Sequence, residues 1–423
     1  MVAAMPNRCY KWVLIALLSC AFFFHQADRA LFGLLTIPIQ QELGLTDVQI
    51  GWINTVLSWT LAGMAFIAGP VGDRFSRKWI ITISLISWSL MTFAMGFVGD
   101  WRMGGVLIPA FAVVLFFRSI ATGVGESFYG PCYPSLIAAF HDKTRSLALS
   151  IHQGSLYFGL MCSGVLTAWA LGLLGSWRYV FMVFGAAGLL LGLFFIVALR
   201  DAAPAGRDEG RARSALDGFG YFFRTPSAIF AMVGFVVIVF VNNAYLFWAP
   251  KFMASKFGVA VGEAGSQTML WHHLCALAAV LAGGVVTDRL VGRWPRFRLA
   301  FQAAALLGGA PCLVAVGVAP SAAAMVGMSA AYGVFRGAFE ANTFASLFDV
   351  VPARYRSTAA GILTVFAFFV GGLSGVLMGA LSQKYGVKGF EIGFGLMGGA
   401  YALGALALLT SCLFTFQKDR IQE

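Results

Sequence analysis

Four charged side chains stand where an apolar run should carry none. Asp28 and Arg29 follow His25 and Gln26 inside a run from residue 12 to 41, and Arg118 and Glu126 fall inside another from 104 to 140. A charge at the centre of a membrane helix costs at least about 2.5 kcal/mol and is seldom kept without use. Asp28 lies 16 residues past Trp12, and Glu126 lies 14 residues before Phe140. At 1.5 Å per residue both sit roughly 21 to 24 Å from the same membrane face. A carboxylate in a low-dielectric, partly wet cavity is disfavoured in its charged form and can take up a proton. Asp28 and Glu126 are therefore the expected proton carriers. Arg29 and Arg118 are expected to compensate their charge or to bind an anionic substrate group with the planar guanidinium fork. A second reading stays open: a fixed pair, Asp28 with Arg118 or Glu126 with Arg29, that only locks helix packing.

Around these charges, His25 and Gln26 precede Asp28. Tyr129 and Tyr133 flank Pro131 and Pro134 next to Glu126. These four, with Gln153, are candidate substrate contacts. The second half of the chain has no acid equivalent to Asp28; Asn242, Asn243 and Tyr245 stand there instead, which suits neutral recognition of hydroxyls. Proton chemistry is thus expected in the first half alone. Arg336 and Glu340, one helical turn apart, are expected to pair with each other. His152, His272 and His273 are weaker candidates, since an intramembrane His serves packing as readily as titration.

Such residues need helices to hold them inside lipid. Apolar residues make up 59% of the 423-residue chain and charged residues only 11%, with a mean hydropathy of +0.82, against roughly 25% charged in a soluble domain. Twelve apolar runs, from 12–41 to 391–416 and including a tenth at 322–350, are each long enough to cross a hydrocarbon core of about 30 Å. Backbone groups in lipid must be satisfied within the segment, so the runs are helices. With the N-terminus inside, twenty Lys and Arg fall on the cytoplasmic side and six on the other, while Arg29, Arg118 and Arg336 lie within runs. Both termini are therefore placed in the cytoplasm. The polar stretch 201–225 reads as a cytoplasmic linker between bundles at 1–200 and 226–423, with a short amphipathic helix near Leu216 to Phe223.

The two halves repeat each other. Gly69 to Lys78 (GPVGDRFSRK) returns as Gly284 to Arg293 (GVVTDRLVGR), Phe117-Arg118 as Phe335-Arg336, and Arg145-Ser146 as Arg356-Ser357. Parallel repeats of six helices place a binding cavity near the bilayer midplane in one large class of secondary transporter.

The loop Gly69 to Lys78 resembles the signature loop between helices two and three of the major facilitator superfamily, and the twelve-span plan is similar to that family's. The resemblance implies an all-α membrane protein of two pseudo-symmetric six-helix bundles. It also implies that Gly69, Asp73, Arg74 and Arg77, with Asp288 and Arg289 of the second copy, form a conformational latch. Asp73 would then pack against the start of the eleventh helix in the outward-open state. Asp28-Arg29, Pro38, Gly72-Asp73-Arg74 and Gly123 to Tyr129 (GVGESFY) further resemble the spinster-like branch and, more loosely, the anion:cation symporters that carry sugar acids. This chain departs from them in its His25-Gln26 lead and in having eight residues instead of seven from Arg118 to Glu126. Eight steps turn that pair by about 80° relative to two full turns, so direct contact requires a bulge at Gly123 or Gly125.

Proton-coupled transport of a small organic anion, such as a sugar acid or carboxylate, is the first expectation. A spinster-like carrier of lysolipid or another amphiphile is the second, recognisable by an apolar side opening. No G-x-x-x-x-G-K-[ST] loop, nucleophile motif or metal-ligand triad is present, so an enzyme, an ATP-driven pump, a cofactor and a metal are not expected. The seven cysteines form no C-x-x-C pair. The net charge of +11 follows from topology and calls for no nucleic acid. The expected partners are a small-molecule substrate, protons and membrane lipid, with the chain a monomer. Its short termini point to a bacterial inner membrane.

Overall fold

A computed structural model describes residues 7–141, 144–201 and 211–421. Eleven helices in it are long and apolar enough to cross a membrane. The twelfth crossing is α14 (Ala322–Glu340) followed by α15 (Thr343–Phe348), interrupted at Ala341 and Asn342 and diluted by Arg336 and Glu340. The chain forms two compact units. The first takes in Met1–Arg207, Leu246–Ala254 and Val259–Met269; the second takes in Asp208–Tyr245, Ser255–Gly258 and Leu270–Glu423.

In the first unit, α1 (Asn7–Leu34) runs almost unbroken into α2 (Thr36–Leu43), which Gly44 ends in the left-handed conformation at φ +65°. Thr46 opens α3 (Asp47–Arg74) with a capping box shared with Gln49, and Ser76 caps α4 (Arg77–Ala94). The sequence places residues 104 onward in a span, but a two-stranded hairpin comes first: Trp101–Met103 pairs with Val106–Ile108. Gly104 and Gly105, at φ +55° and +84°, make its turn; two consecutive positive φ angles are what a tight primed turn demands.

The fourth crossing then follows in pieces: α5 (Ala110–Val114), a π-helical turn (Leu115–Ala121), α6 (Thr122–Ser127) and α7 (Tyr129–Phe140). Helices α8 (Arg145–Leu174) and α9 (Trp177–Ala198) complete the unit's long crossings. Glycines set the closest approaches. A Cβ on Gly185 would lie 2.4 Å from the backbone nitrogen of Phe93, and one on Gly125 would lie 2.9 Å from that of Trp88, so α4 packs backbone to backbone with α9 and α6.

The linker's second part is α10 (Arg211–Arg224), whose Phe222 is fully buried and whose Tyr221 hydroxyl donates to the carbonyl of Val350 at 3.2 Å. Residues 202–210 lie outside those described. The chain continues with α11 (Pro226–Phe257) and α12 (Val261–Leu290), each divided between the two units, and the second unit goes on with α13 (Phe297–Val318), α14, α15, α16 (Arg356–Tyr385), α17 (Val387–Thr410) and a terminal turn α18 (Phe416–Asp419).

Candidate functional site

Three elements of the first unit bring the intramembrane charges together. Asp28 on α1 is 4% exposed and Arg118 on the π turn is 2% exposed. Asp28 Oδ2 lies 3.3 Å from Arg118 Nη1, and its Oδ1 accepts from the Thr92 hydroxyl of α4 at 3.0 Å. Arg118 Nη2 also donates to the backbone carbonyls of Asp28 and Arg29, each at 3.1 Å. One guanidinium thus neutralises a carboxylate and pins the backbone that carries it.

Glu126 is held differently. Its side chain is fully buried, with His25 Nε2 at 3.4 Å and Arg29 Nε at 3.8 Å from Oε2. Both are ion-pair distances outside good hydrogen-bond geometry, and neither carboxylate oxygen accepts a hydrogen bond among the described residues. Gln26 Nε2 lies 3.0 Å from His25 Nδ1, so Gln26 steadies the ring that faces Glu126.

Arg118 and Glu126 form no ion pair with each other among the described residues. A bulge is present in their helix, but at Leu115–Ala121 instead of Gly123 or Gly125. The wider turn faces Arg118 toward α1, and the Ser119 hydroxyl ties it to α3 by donating to the Ile53 carbonyl at 2.6 Å. Single π turns of this kind are frequent at functional sites. Gly123 and Gly125 instead let α6 pass close to α3 and α4.

Aromatic rings wall the carboxylates. His152 stacks on Tyr133 at 4.0 Å and on Phe22 at 4.5 Å, while Trp88 meets His25 edge-on at 5.1 Å. The Tyr129 hydroxyl donates to the Leu18 carbonyl at 2.8 Å, so the His152 Nε2 that lies 3.0 Å from it carries the hydrogen. Tyr129 is buried, Tyr133 half-buried and Gln153 exposed. A cavity of about 10 Å³ borders Asp28, Thr92 and Trp88, close to the volume that holds one water. Thr92 and Trp88 were not singled out from sequence, since a lone Thr or Trp in an apolar run carries no spacing signal; His152 was named there only as a weaker candidate.

In the second unit Asn242 and Asn243 are half-buried; Asn242 Oδ1 and Asn243 Nδ2 have no hydrogen-bond partner among the described residues. Tyr245 is fully buried, its ring 4.4 Å from His272. Arg336 Nε donates to Glu340 Oε1 at 2.9 Å, and its Nη1 lies 3.0 Å from His272 Nε2 and 3.4 Å from His273 Nε2. Arginine only donates, so both histidines accept there. The His272 hydrogen then sits on Nδ1, facing the Ser329 carbonyl at 3.1 Å. The adjacency of His272 and His273 was visible in the sequence, but their convergence on Arg336 was not.

Of the expected latch, the side chains of Gly69 and Asp73 lie outside the described residues. Arg74 is exposed and Arg77 half-buried. Arg289 is exposed, and Asp288, 80% exposed at its side chain, has Arg298 at 3.9 Å.

Comparison with known proteins gives concordant results. A family model described as Major Facilitator Superfamily matches residues 17–367. The probable galactarate/D-glucarate transporter GudP of Bacillus subtilis is 23% identical over 400 residues, covering 89% of this chain and 86% of that protein. Human spinster homolog 1 is 25% identical over 405 residues, with 88% and 73% covered. The probable sulfoacetate transporter SauU of Cupriavidus necator is 25% identical over 426 residues, with 94% and 93% covered. Among solved structures, a bacterial homolog of the human lysosomal transporter spinster, inward-facing and occupied, superposes with a TM-score of 0.82 at 20% identity over 99% of both chains. A D-xylose-proton symporter gives 0.72 at 16% identity, covering 96% of this chain and 98% of that one. With twelve crossings and a model match over most of its length, this chain belongs to the Major Facilitator Superfamily and is a membrane transporter, not an enzyme.

Proposed function

We propose that the protein is a proton-coupled secondary transporter of a small organic anion in a bacterial inner membrane, working by alternating access with both termini cytoplasmic. The observation that carries this reading is Glu126: a fully buried carboxylate that, among the described residues, is met at ion-pair distance by His25 and Arg29 and accepts no hydrogen bond. Asp28, by contrast, has two partners for its carboxylate, Arg118 and the Thr92 hydroxyl. In this reading Glu126 and Asp28 exchange a proton as the carrier cycles. When Glu126 is protonated, Arg29 and His25 are released toward an anionic substrate, so proton and anion binding share the same cations. Tyr129, Tyr133, Gln26 and Gln153 are the polar candidates for substrate contact in the first unit, and Asn242, Asn243 and Tyr245 those in the second.

The galactarate/glucarate and sulfoacetate relatives support a carboxylate- or sulfonate-bearing substrate of this size. The spinster relatives support an amphiphile such as lysolipid as the second reading. Thermal shifts of purified protein with galactarate, glucarate, sulfoacetate and a lysolipid choose between them.

Uptake into proteoliposomes under an imposed pH gradient tests the coupling. Asp28→Asn and Glu126→Gln are expected to abolish pH-driven uptake while the folded protein is retained. Unaltered pH-driven uptake in both variants overturns the proposal. We assign the loop from Gly69 to Arg77, with its second copy at Asp288 and Arg289, to the conformational latch. Asp73→Asn is then expected to slow turnover without reducing membrane insertion.

A further inference from the structure

The second unit carries a feature that proton and anion transport do not use. Helices α12, α13 and α14 enclose an apolar groove of about 330 Å³. Its walls include Ala282, Val286, Ala304 and Val334, all exposed on the outside of the unit, and Phe301. Gly283 is at the floor, where a Cβ would meet Ala341 at 3.2 Å and Phe301 at 3.3 Å. Every lining side chain is apolar, so the groove offers a water none of the two to four partners that it needs. A hydrocarbon chain fits it.

The groove has a direction. From Ala279 to Leu290, the end of α12, is 11 residues, or about 16 Å at 1.5 Å per residue. That is close to one leaflet of a hydrocarbon core about 30 Å thick. At this end the surface turns basic. Arg289 stands one turn beyond Val286 on the same face of α12, and Arg293 follows in the tight connection to α13. Both are exposed and neither makes an ion pair among the described residues, whereas nearby Arg298 is engaged by Asp349 at 2.6 Å. Aromatic rings link the two ends: Trp294, 49% exposed, lies edge-on to Phe297 at 5.7 Å, and Phe297 stacks on Phe301 at 5.6 Å. Trp at a helix end is a membrane-interface anchor.

We infer that this groove holds one acyl chain of a phospholipid whose anionic headgroup sits against Arg289 and Arg293. Charge complementarity selects an anionic lipid over a zwitterionic one, on the order of fivefold for each arginine near the surface. The test uses the purified full chain, delipidated in detergent and offered phosphatidylglycerol or phosphatidylcholine with identical chains. Native mass spectrometry reads the fraction of protein retaining one lipid. The wild type is expected to retain phosphatidylglycerol several-fold more than phosphatidylcholine. R289Q/R293Q is expected to remove that preference. Ala304→Phe, which fills the groove from its open side, is expected to reduce retention of both lipids. Equal retention of the two lipids by the wild type overturns the inference, as does a preference that survives the arginine pair, or undiminished retention after the groove is filled.

Discussion

Arg118 holds Asp28 through its carboxylate and through its backbone carbonyl, and substitution separates the two tasks. Arg118→Ala leaves a buried carboxylate without its cation, and loss of one partner of a buried pair typically costs about 3–5 kcal/mol. Adding Asp28→Asn is expected to return a good part of that stability, because the stranded charge is gone, while pH-driven uptake stays lost. Chemical or thermal melts with uptake on the same samples check this. A double variant no more stable than Arg118→Ala contradicts the pairing. Much at this scale was legible: a charge within an apolar run stands out by composition alone, and depth arithmetic put Asp28 and Glu126 level. The pairings Asp28 with Arg118 and Glu126 with Arg29 were named from the sequence; the π turn and Thr92 that help to position them leave no pattern in one sequence.

Helices in this protein meet through missing side chains and local polar ties. Gly185 lies so close to Phe93 that even a methyl cannot fit without moving backbone. Gly185→Ala is therefore expected to destabilise the first unit by about 1–3 kcal/mol, read as a lower melting temperature. The α2 end shows the polar counterpart. Glu42 Oε1 accepts from Arg178 Nε at 2.7 Å and its Oε2 accepts from Trp177 Nε1 at 2.5 Å, while Arg178 also donates to the carbonyls of Gly96 and Val98. Hydrogen bonding from Arg178, helped by Trp177 and by the charge of the guanidinium, holds the Glu42 carboxyl below its usual value. A depressed carboxyl stabilises above its unfolded pKa of about 4.3, and this stabilisation is lost as pH falls through the folded value. Glu42→Gln is thus expected to lower the melting temperature slightly at pH 7, consistent with about 0.2–1 kcal/mol for an exposed pair. Melts across pH 3 to 7 should show the gap from wild type closing at the acid end. Helix existence was legible throughout from apolar run length; the 101–108 hairpin was hidden because its Val, Leu and Ile read as the start of a span.

Across the whole molecule, the repeat in sequence does not extend to the chemistry. Arg118 faces a carboxylate on α1, whereas its counterpart Arg336 is occupied by two accepting histidines and by Glu340 one turn away. Proton coupling confined to the first half predicts that Arg336→Lys, which cannot reach three acceptors in the same plane, lowers thermal stability yet leaves the pH profile of uptake unchanged. A shifted profile would move part of the coupling into the second half. The twofold plan was legible from the Asp-Arg loops and the repeated Phe-Arg steps. The chemical asymmetry was legible only as the absence of an acid near Asn242 and Asn243.

The hairpin tip at Gly104 and Gly105 has a practical use. Its two residues adopt backbone angles that few others tolerate, yet they touch nothing within 4 Å of where a Cβ would be. Exposed tips of this sort accept insertions well. An epitope spliced between them should therefore be displayed without disturbing the carrier, and antibody staining of intact spheroplasts would then report which way the polypeptide is threaded.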